Sequence, residues 1–383
     1  MPSDELKFDI QEKPAWRVGG KTTSNLLKDI FIWRDSFARL SQEDQASFQE
    51  AFQVCMKMEY VFHSCLTESH GTRTYAATKE VLERVIGASG RLGGEKTKEE
   101  KETVNTARAL MQLSSEHSKM GGTGKLSLEV VCSIHSELMK ELRADAGSLR
   151  TKDAYKRMDD SSTQFYPKPE IARARLLHVI QNHNIHMDSY ASQSKDWSPQ
   201  NKFVFLVKCA SWLMVQFMEA HPFSEGNGRM AWLLANYVIS LSSPFPLHVY
   251  QFQDFTAIDR IAHFKDAIAT YRKSPKDGPK DLCALFVEGA WSVWSRCIKA
   301  QEARQSSSSS ITIAVQKSKQ DEAQSHVKQV GIAKYLNVSE GDAVSLVSDI
   351  MGRVSVDGFQ PHQYAQLKMD GSTDPVIYVR VFP

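Results

Sequence analysis

The sequence predicts a mainly α-helical protein that ends in a small α+β domain, and three observations point there. Residues 201–220 are apolar on nearly every face (Phe203, Phe205, Leu206, Trp212, Leu213, Phe217), the pattern of a helix buried all round. Residues 230–241 read as a second apolar helix, separated from the first by a short turn that holds Gly226 and Gly228. A run of five serines, 306–310, then divides this region from a C-terminal part whose pattern passes from short helices to alternating strands.

A chain of 383 residues has room for two or three domains with a substantial core. Its net charge of +2 gives no global argument for nucleic acid or anionic membrane as a partner. The six cysteines are scattered without CxxC spacing, which suits packed, reduced thiols and shows no zinc site. The first residues carry neither a basic nor an apolar stretch of a leader, and no uninterrupted apolar run reaches about 18 residues. The expectation is a cytoplasmic protein without membrane association, with the nucleus left open.

Taken in order, Pro14, Gly19 and Gly20 break any early element before a helical pattern over 26–40. Ser41 ahead of Glu43 and Asp44 reads as an N-cap with an acidic first turn, and Phe48, Phe52, Cys55 and Phe62 follow near helical spacing. A helix over 76–85 leads into a glycine- and lysine-rich loop, 87–101. Gly121-Gly122-Thr123-Gly124-Lys125 is no phosphate loop, because Lys119 stands where that pattern needs glycine and Leu126 where it needs Ser or Thr. It opens a helix over 127–142 in which His135 is a packed residue. Residues 158–170 have strand- and turn-like composition, and a further helix is expected over 256–272. Domain boundaries follow: an N-terminal segment 1–45, a core domain 46–300, a serine-rich linker 301–318, and a domain 319–383. In the last, short helices at 330–336 and 341–350 and the alternation Val354/Val356 and Val376/Tyr378/Arg380/Phe382 suggest a winged-helix-like module. Its basic residues are few and interspersed with acids, so nucleic-acid binding is unproven and docking or dimerisation is the better use.

Between the two apolar helices lies His221-Pro222-Phe223-Ser224-Glu225-Gly226-Asn227-Gly228-Arg229. The glycines can take positive φ and let backbone approach a ligand, and a glycine-rich turn that opens a helix aims free N–H groups at an anion. Arg229 adds a permanent charge suited to phosphate oxygens, and Glu225 is a hard oxygen ligand for Mg²⁺ on those phosphates. His221, at the exit of the buried helix, can take a proton from an incoming hydroxyl. Phe223 anchors the loop in the core.

This segment resembles the signature of the Fic family (filamentation induced by cyclic AMP), H-P-F-x-[D/E]-G-N-G-R-x-x-R, at eight of its nine specified positions. Trp232 stands where the family has its last arginine, which in relatives reaches the γ-phosphate and pairs with an inhibitory glutamate. The resemblance implies a Fic-type helical core with a short β-hairpin flap over 158–170, which lays a target segment across the site by backbone pairing. It places Ser161, Ser162, Thr163 and Gln164 nearest the nucleotide, and His263 and Phe264 against the adenine. Ser64 and Glu68 match the family's inhibitory motif [S/T]-x-x-x-E-[G/N], with Ser69 in place of glycine or asparagine.

The implied activity is transfer of AMP from ATP, with Mg²⁺, to a Ser, Thr or Tyr hydroxyl of a target protein. His221 would be the base, Glu225 the metal ligand, and Gly226, Asn227, Gly228 and Arg229 the phosphate cradle. Self-inhibition through Glu68 and a homodimer are further expectations. The missing arginine leaves room for another diphosphate-linked donor, for removal of AMP with Glu68 positioning water, or for a nucleotide-binding scaffold in which Trp232 fills the phosphate end of the pocket.

Overall fold

The computed structural model describes residues 4–86, 97–119, 121–157, 163–253, 255–307, 365–367 and 377–379. The chain divides into two compact units, residues 1–295 and 296–383. The described residues are mainly helical: α1 (Thr23–Ala38), α2 (Gln42–Thr67), α3 (Tyr75–Ile86), α4 (Lys98–Lys119), α5 (Leu128–Leu138), α6 (Pro169–Gln193), α7 (Pro199–Ala220), α8 (Asn227–Ile239), α9 (Ala257–Lys273) and α10 (Lys280–Ser307). Four short strands complete them: β1 (Tyr155–Arg157), β2 (Thr163–Phe165), β3 (Ala365–Leu367) and β4 (Ile377–Val379).

The core of the first unit is built on α7. Ser198 caps it by accepting from the Asn201 N–H, and Pro199 sits at its first position, where a missing N–H costs nothing. Phe203, Leu206, Val207, Met214 and Phe217 are fully buried, each stabilising by about 1.5–3 kcal/mol relative to exposure. α8 packs along one side of α7 and α6 along another, while α4 packs on α2, α3, α5 and α8. Among the described residues α7 is the one helix long and apolar enough to cross a membrane, and here it is mostly buried within the protein.

Several boundaries match their sequence signals. Ser127 caps α5 by accepting from Val130, and Thr256 and Asp259 form a reciprocal capping box on α9. α5 ends at Leu138, short of residue 142, and Glu141 turns the chain with φ 59°. Two differences matter more. Residues 98–101, expected in a loop, open the long helix α4. α10 continues to Ser307, so residues 301–307 are helical rather than linker.

The N-terminal segment is packed into the first unit. Gln11 N–H donates to the Lys280 carbonyl, and the Trp16 indole donates to Glu288 at 3.1 Å. Glu288, fully buried, also pairs with Arg17 at 3.3 Å and Arg260 at 2.7 Å. β1 and β2 pair antiparallel with Lys156 opposite Gln164, and β3 and β4 pair antiparallel with Gln366 opposite Tyr378. The expected helices at 330–336 and 341–350, Val354 and Val356, and the flap residues Ser161 and Ser162 lie outside the described residues.

Candidate active site

α7 ends at Ala220, and His221 leaves it in the left-handed conformation (φ 45°, ψ 59°), its N–H still donating to Phe217 O. A side chain in that region costs about 1–2 kcal/mol, so its surroundings must enforce it. Arg150 does much of this. Its Nε donates to the His221 carbonyl at 2.8 Å, its Nη1 to Lys152 O at 2.9 Å, and its Nη2 to Pro167 O, while its backbone N–H donates to Pro222 O at 3.0 Å. One guanidinium thus ties the turn to both ends of the β1–β2 pair.

The rest of the turn is closed from below. Phe223 is fully buried, as the sequence predicts, and stacks on the His135 ring at 3.7 Å. The Asn227 side chain accepts from Phe223 N–H at 3.0 Å and donates to Phe223 O at 2.8 Å, so its amide is spent on the loop. Gly226 has φ 78°, and a β-carbon there would lie 2.9 Å from Met139 Sδ. His135 Nδ1 accepts from Gly147 N–H at 2.9 Å, so Nε2 carries the proton and donates to Glu225 O at 3.0 Å. Burial pushes the His135 pKa down to about 4, which keeps this tautomer neutral at pH 7.

α8 begins at Asn227, so the first-turn N–H groups, including that of Gly228, have no acceptor within the helix and concentrate positive potential there. Glu68 lies over that point: a β-carbon built on Gly228 would collide with both of its carboxylate oxygens. No ion pair between Glu68 and a cation is found among the described residues. Ser64, one turn earlier on α2, is buried. The segment beyond is turned back sharply: Ser69 N–H donates to Leu66 O and His70 N–H to Cys65 O, with Ser69 at φ 59° and Gly71 at φ 67°. Glu102 on α4 then clamps it, accepting from Gly71 N–H at 2.7 Å and meeting His70 Nδ1 at 2.9 Å. Burial works to raise the Glu102 pKa, but the Gly71 N–H, His70 and the charge on Arg229 bring it below the ordinary carboxylate range.

Arg229 is buried, not an exposed fork. One nitrogen, Nη2, lies 3.6 Å from Met139 Sδ, and Nε and Nη1 meet no acceptor among the described residues. Glu225 is partly exposed with Arg143 Nη1 3.6 Å away. Arg143 also grips Asp145 with two nitrogens, and Asp145 accepts from Ser224 at 2.6 Å; these donors hold its carboxyl far below the usual range. Among the described residues no group of three or more His, Cys, Asp or Glu could hold a metal ion.

On the other side, Tyr166, next after β2, lies flat on the His221 imidazole. Thr163 is exposed opposite Arg157, and Gln164 accepts from Arg272 at 3.4 Å, which in turn pairs with Glu219 of α7 at 2.7 Å. Tyr166 feels the charges of both Arg272 and Glu68, which brings the hairpin, the base and the glutamate into one neighbourhood.

Two expectations need correction. Phe264 is buried against Trp232 at 5.0 Å and presents no free face to an adenine, while His263, half-buried, stacks on Trp16 at 5.1 Å and meets Phe255 edge-on. Trp232 is itself a core residue, packed among Tyr250, Phe264 and Phe286. The framing residues Arg150, Glu102 and Tyr166 were not singled out by the sequence, because each acts on a segment distant along the chain.

Residues 125–239 match the Fic/DOC family. A Fido domain-containing protein from Dictyostelium discoideum is 30% identical over 112 residues, 29% of this chain and 66% of its own length. Among solved structures, a Fic domain containing signaling protein from Bacteroides thetaiotaomicron is 17% identical, with a TM-score of 0.53 over 73% of this chain and 97% of its own. A fragment of Fic-1 from C. elegans is 18% identical, with a TM-score of 0.53 over 74% of this chain and 73% of its own. These structural likenesses are of fold. Residues 125–239 thus resemble a Fic/DOC domain, the Dictyostelium relative is spanned over just under two thirds of its length, and the described residues form a mainly α-helical bundle of Fic-like fold.

Proposed function

We propose that the chain is a protein adenylyltransferase that moves AMP from ATP to a Ser, Thr or Tyr hydroxyl of a target protein, and that Glu68 holds it back. The observation that carries this reading is the Glu68 carboxylate seated over Gly228 at the start of α8, where a phosphate would otherwise be drawn. A helix end that attracts an anion and is covered by the protein's own anion describes an anion site in its blocked state.

In the open state the target oxygen attacks the α-phosphorus, its proton passes to His221, and the bond from the α-phosphorus to the bridging oxygen breaks to release pyrophosphate. The N–H groups of Gly226, Asn227 and Gly228 meet the charge that grows on the phosphate oxygens. Arg229 strengthens that field from beneath rather than clamping the phosphate tail from the surface. A carboxylate plus donor phosphates is an ordinary seat for Mg²⁺, so Glu225 would hold the ion, with Arg143 as its competitor for that carboxylate. The β1–β2 pair would be the flap, Thr163 and Gln164 facing the donor, and the part beyond residue 318 a docking or dimerising module.

A second reading rests on the same glutamate. With Trp232 in the core and no arginine paired to Glu68 among the described residues, the carboxylate would orient water for removal of AMP, or the pocket would take a donor other than ATP. The test is incubation of wild type, His221→Ala and Glu68→Gly with α-labelled ATP and Mg²⁺. Label that needs His221 and rises in Glu68→Gly supports the transferase. Absence of label with release of AMP from a pre-modified protein supports the second reading, and nucleotide binding without turnover leaves a scaffold.

A further inference from the structure

Tyr166 and His221 lie face to face, ring centroids 3.5 Å apart and planes within 8° of parallel. A ring laid flat on an imidazole fixes its plane. Tyr166 is itself held in register with His221: its N–H donates to Ala154 O at 3.0 Å, and Arg150 grips the next carbonyl, that of Pro167, together with the His221 carbonyl. Neighbouring residues behave differently. Tyr155 and Phe165, opposite each other on β1 and β2, are 69% and 76% exposed, whereas Tyr166, one residue on, turns inward as alternation along a strand requires. Burial raises the Tyr166 phenol above its usual range, so a neutral ring faces the imidazole.

We propose that Tyr166 is a positioning residue for the base, fixing the plane of the His221 imidazole and lending its π face to the imidazolium formed when the proton is taken. The claim about rate rests on the transferase reading; the claim about the ring does not. The ring does this work and the hydroxyl does not, so Tyr166→Phe and Tyr166→Leu separate the two.

The first readout is the chemical shift of the His221 ring protons in the full chain with labelled histidine. A stacked aromatic shields them, so they stay in place in Tyr166→Phe and move downfield in Tyr166→Leu; unchanged shifts in Tyr166→Leu overturn the proposal. The second is transfer from ATP in a Glu68→Gly background. Tyr166→Leu is expected to lower kcat at least about fivefold with the KM for nucleotide unchanged, and Tyr166→Phe to stay within about twofold. A loss in KM alone, or equal losses in both variants, overturns it. Should no background show transfer, the enzyme reading fails and the shifts alone decide whether Tyr166 holds the ring. Thermal melting of both variants shows that each is folded.

Discussion

Two segments meet at the candidate site, and each leaves a helix through a left-handed residue that is not glycine: His221 after α7 and Ser69 after α2. They are braced very differently. The turn from His221 to Arg229 is gripped by Arg150, closed on itself by Asn227, and supported by the stacked His135 and Phe223. The arm that carries Glu68 is tied down beyond the glutamate by Glu102 and, further on, by Thr72, whose N–H donates to Thr103 and whose hydroxyl meets Thr78 and Thr103. The proposed role of Glu68 asks for this division, an arm that leaves by giving up its bonds to α4 while the turn stays assembled.

Acid should separate the two first. The His135 pKa falls from an unfolded value of about 6.5 to about 4 on folding, so the unfolded chain binds more protons in that window and stability drops as pH falls through it. The effect approaches roughly 3 kcal/mol for His135, and His183 and His186, also held to about 4 by burial, add to it. Glu102 is shifted the other way for its type: its contribution is present above the ordinary carboxylate range and lost only as pH falls through its depressed pKa. Hydrogen exchange at pH 5 should therefore loosen residues 221–229 before residues 68–72, and His135→Gln should remove part of the slope in a denaturation series. The reverse order would break the comparison.

Asn227→Ala comes next. It removes both bonds to Phe223 and leaves buried backbone groups unpaired, so chemical denaturation should show a loss of about 2–3 kcal/mol, with transfer lost as well. Glu102→Gln should do the opposite to function: it weakens the tether by about 1–3 kcal/mol and raises labelling toward the Glu68→Gly level, with faster exchange confined to residues 65–72. Smallest is Ser69→Gly, which relieves left-handed strain and should raise stability by about 0.5–1 kcal/mol in a melting experiment.

The turn was legible in the sequence because its chemistry is local: nine consecutive residues contain the histidine, the acid, both glycines and the arginine. Ser69 shows how a departure from a pattern can be read physically, since the position needs positive φ, for which glycine or asparagine is the cheaper choice. α4 was missed because the first part of its buried face is largely polar, with Glu102, Thr103, Asn105 and Thr106 around Val104, so the usual apolar period is faint until Leu110 and Leu113. Phe264 is closed to a ligand for a tertiary reason: only folding brings Trp232 against it. Arg150 and Glu102 were invisible as braces because their partners lie 71 and 31 residues away.

The collision between Glu68 and the space above Gly228 has a quantitative corollary. A carboxylate and a phosphate cannot share one helix end, so on the proposed reading arm closure and anion binding would be mutually exclusive occupancies. The apparent affinity for the anion is the intrinsic one multiplied by the open fraction: an arm closed 99% of the time weakens it about a hundredfold without altering a single contact in the cradle. On the proposed reading the exchange would also run backwards: each bound anion would hold an arm open, and the nucleotide level would act as a thermostat on how much of the protein stands with its arm raised.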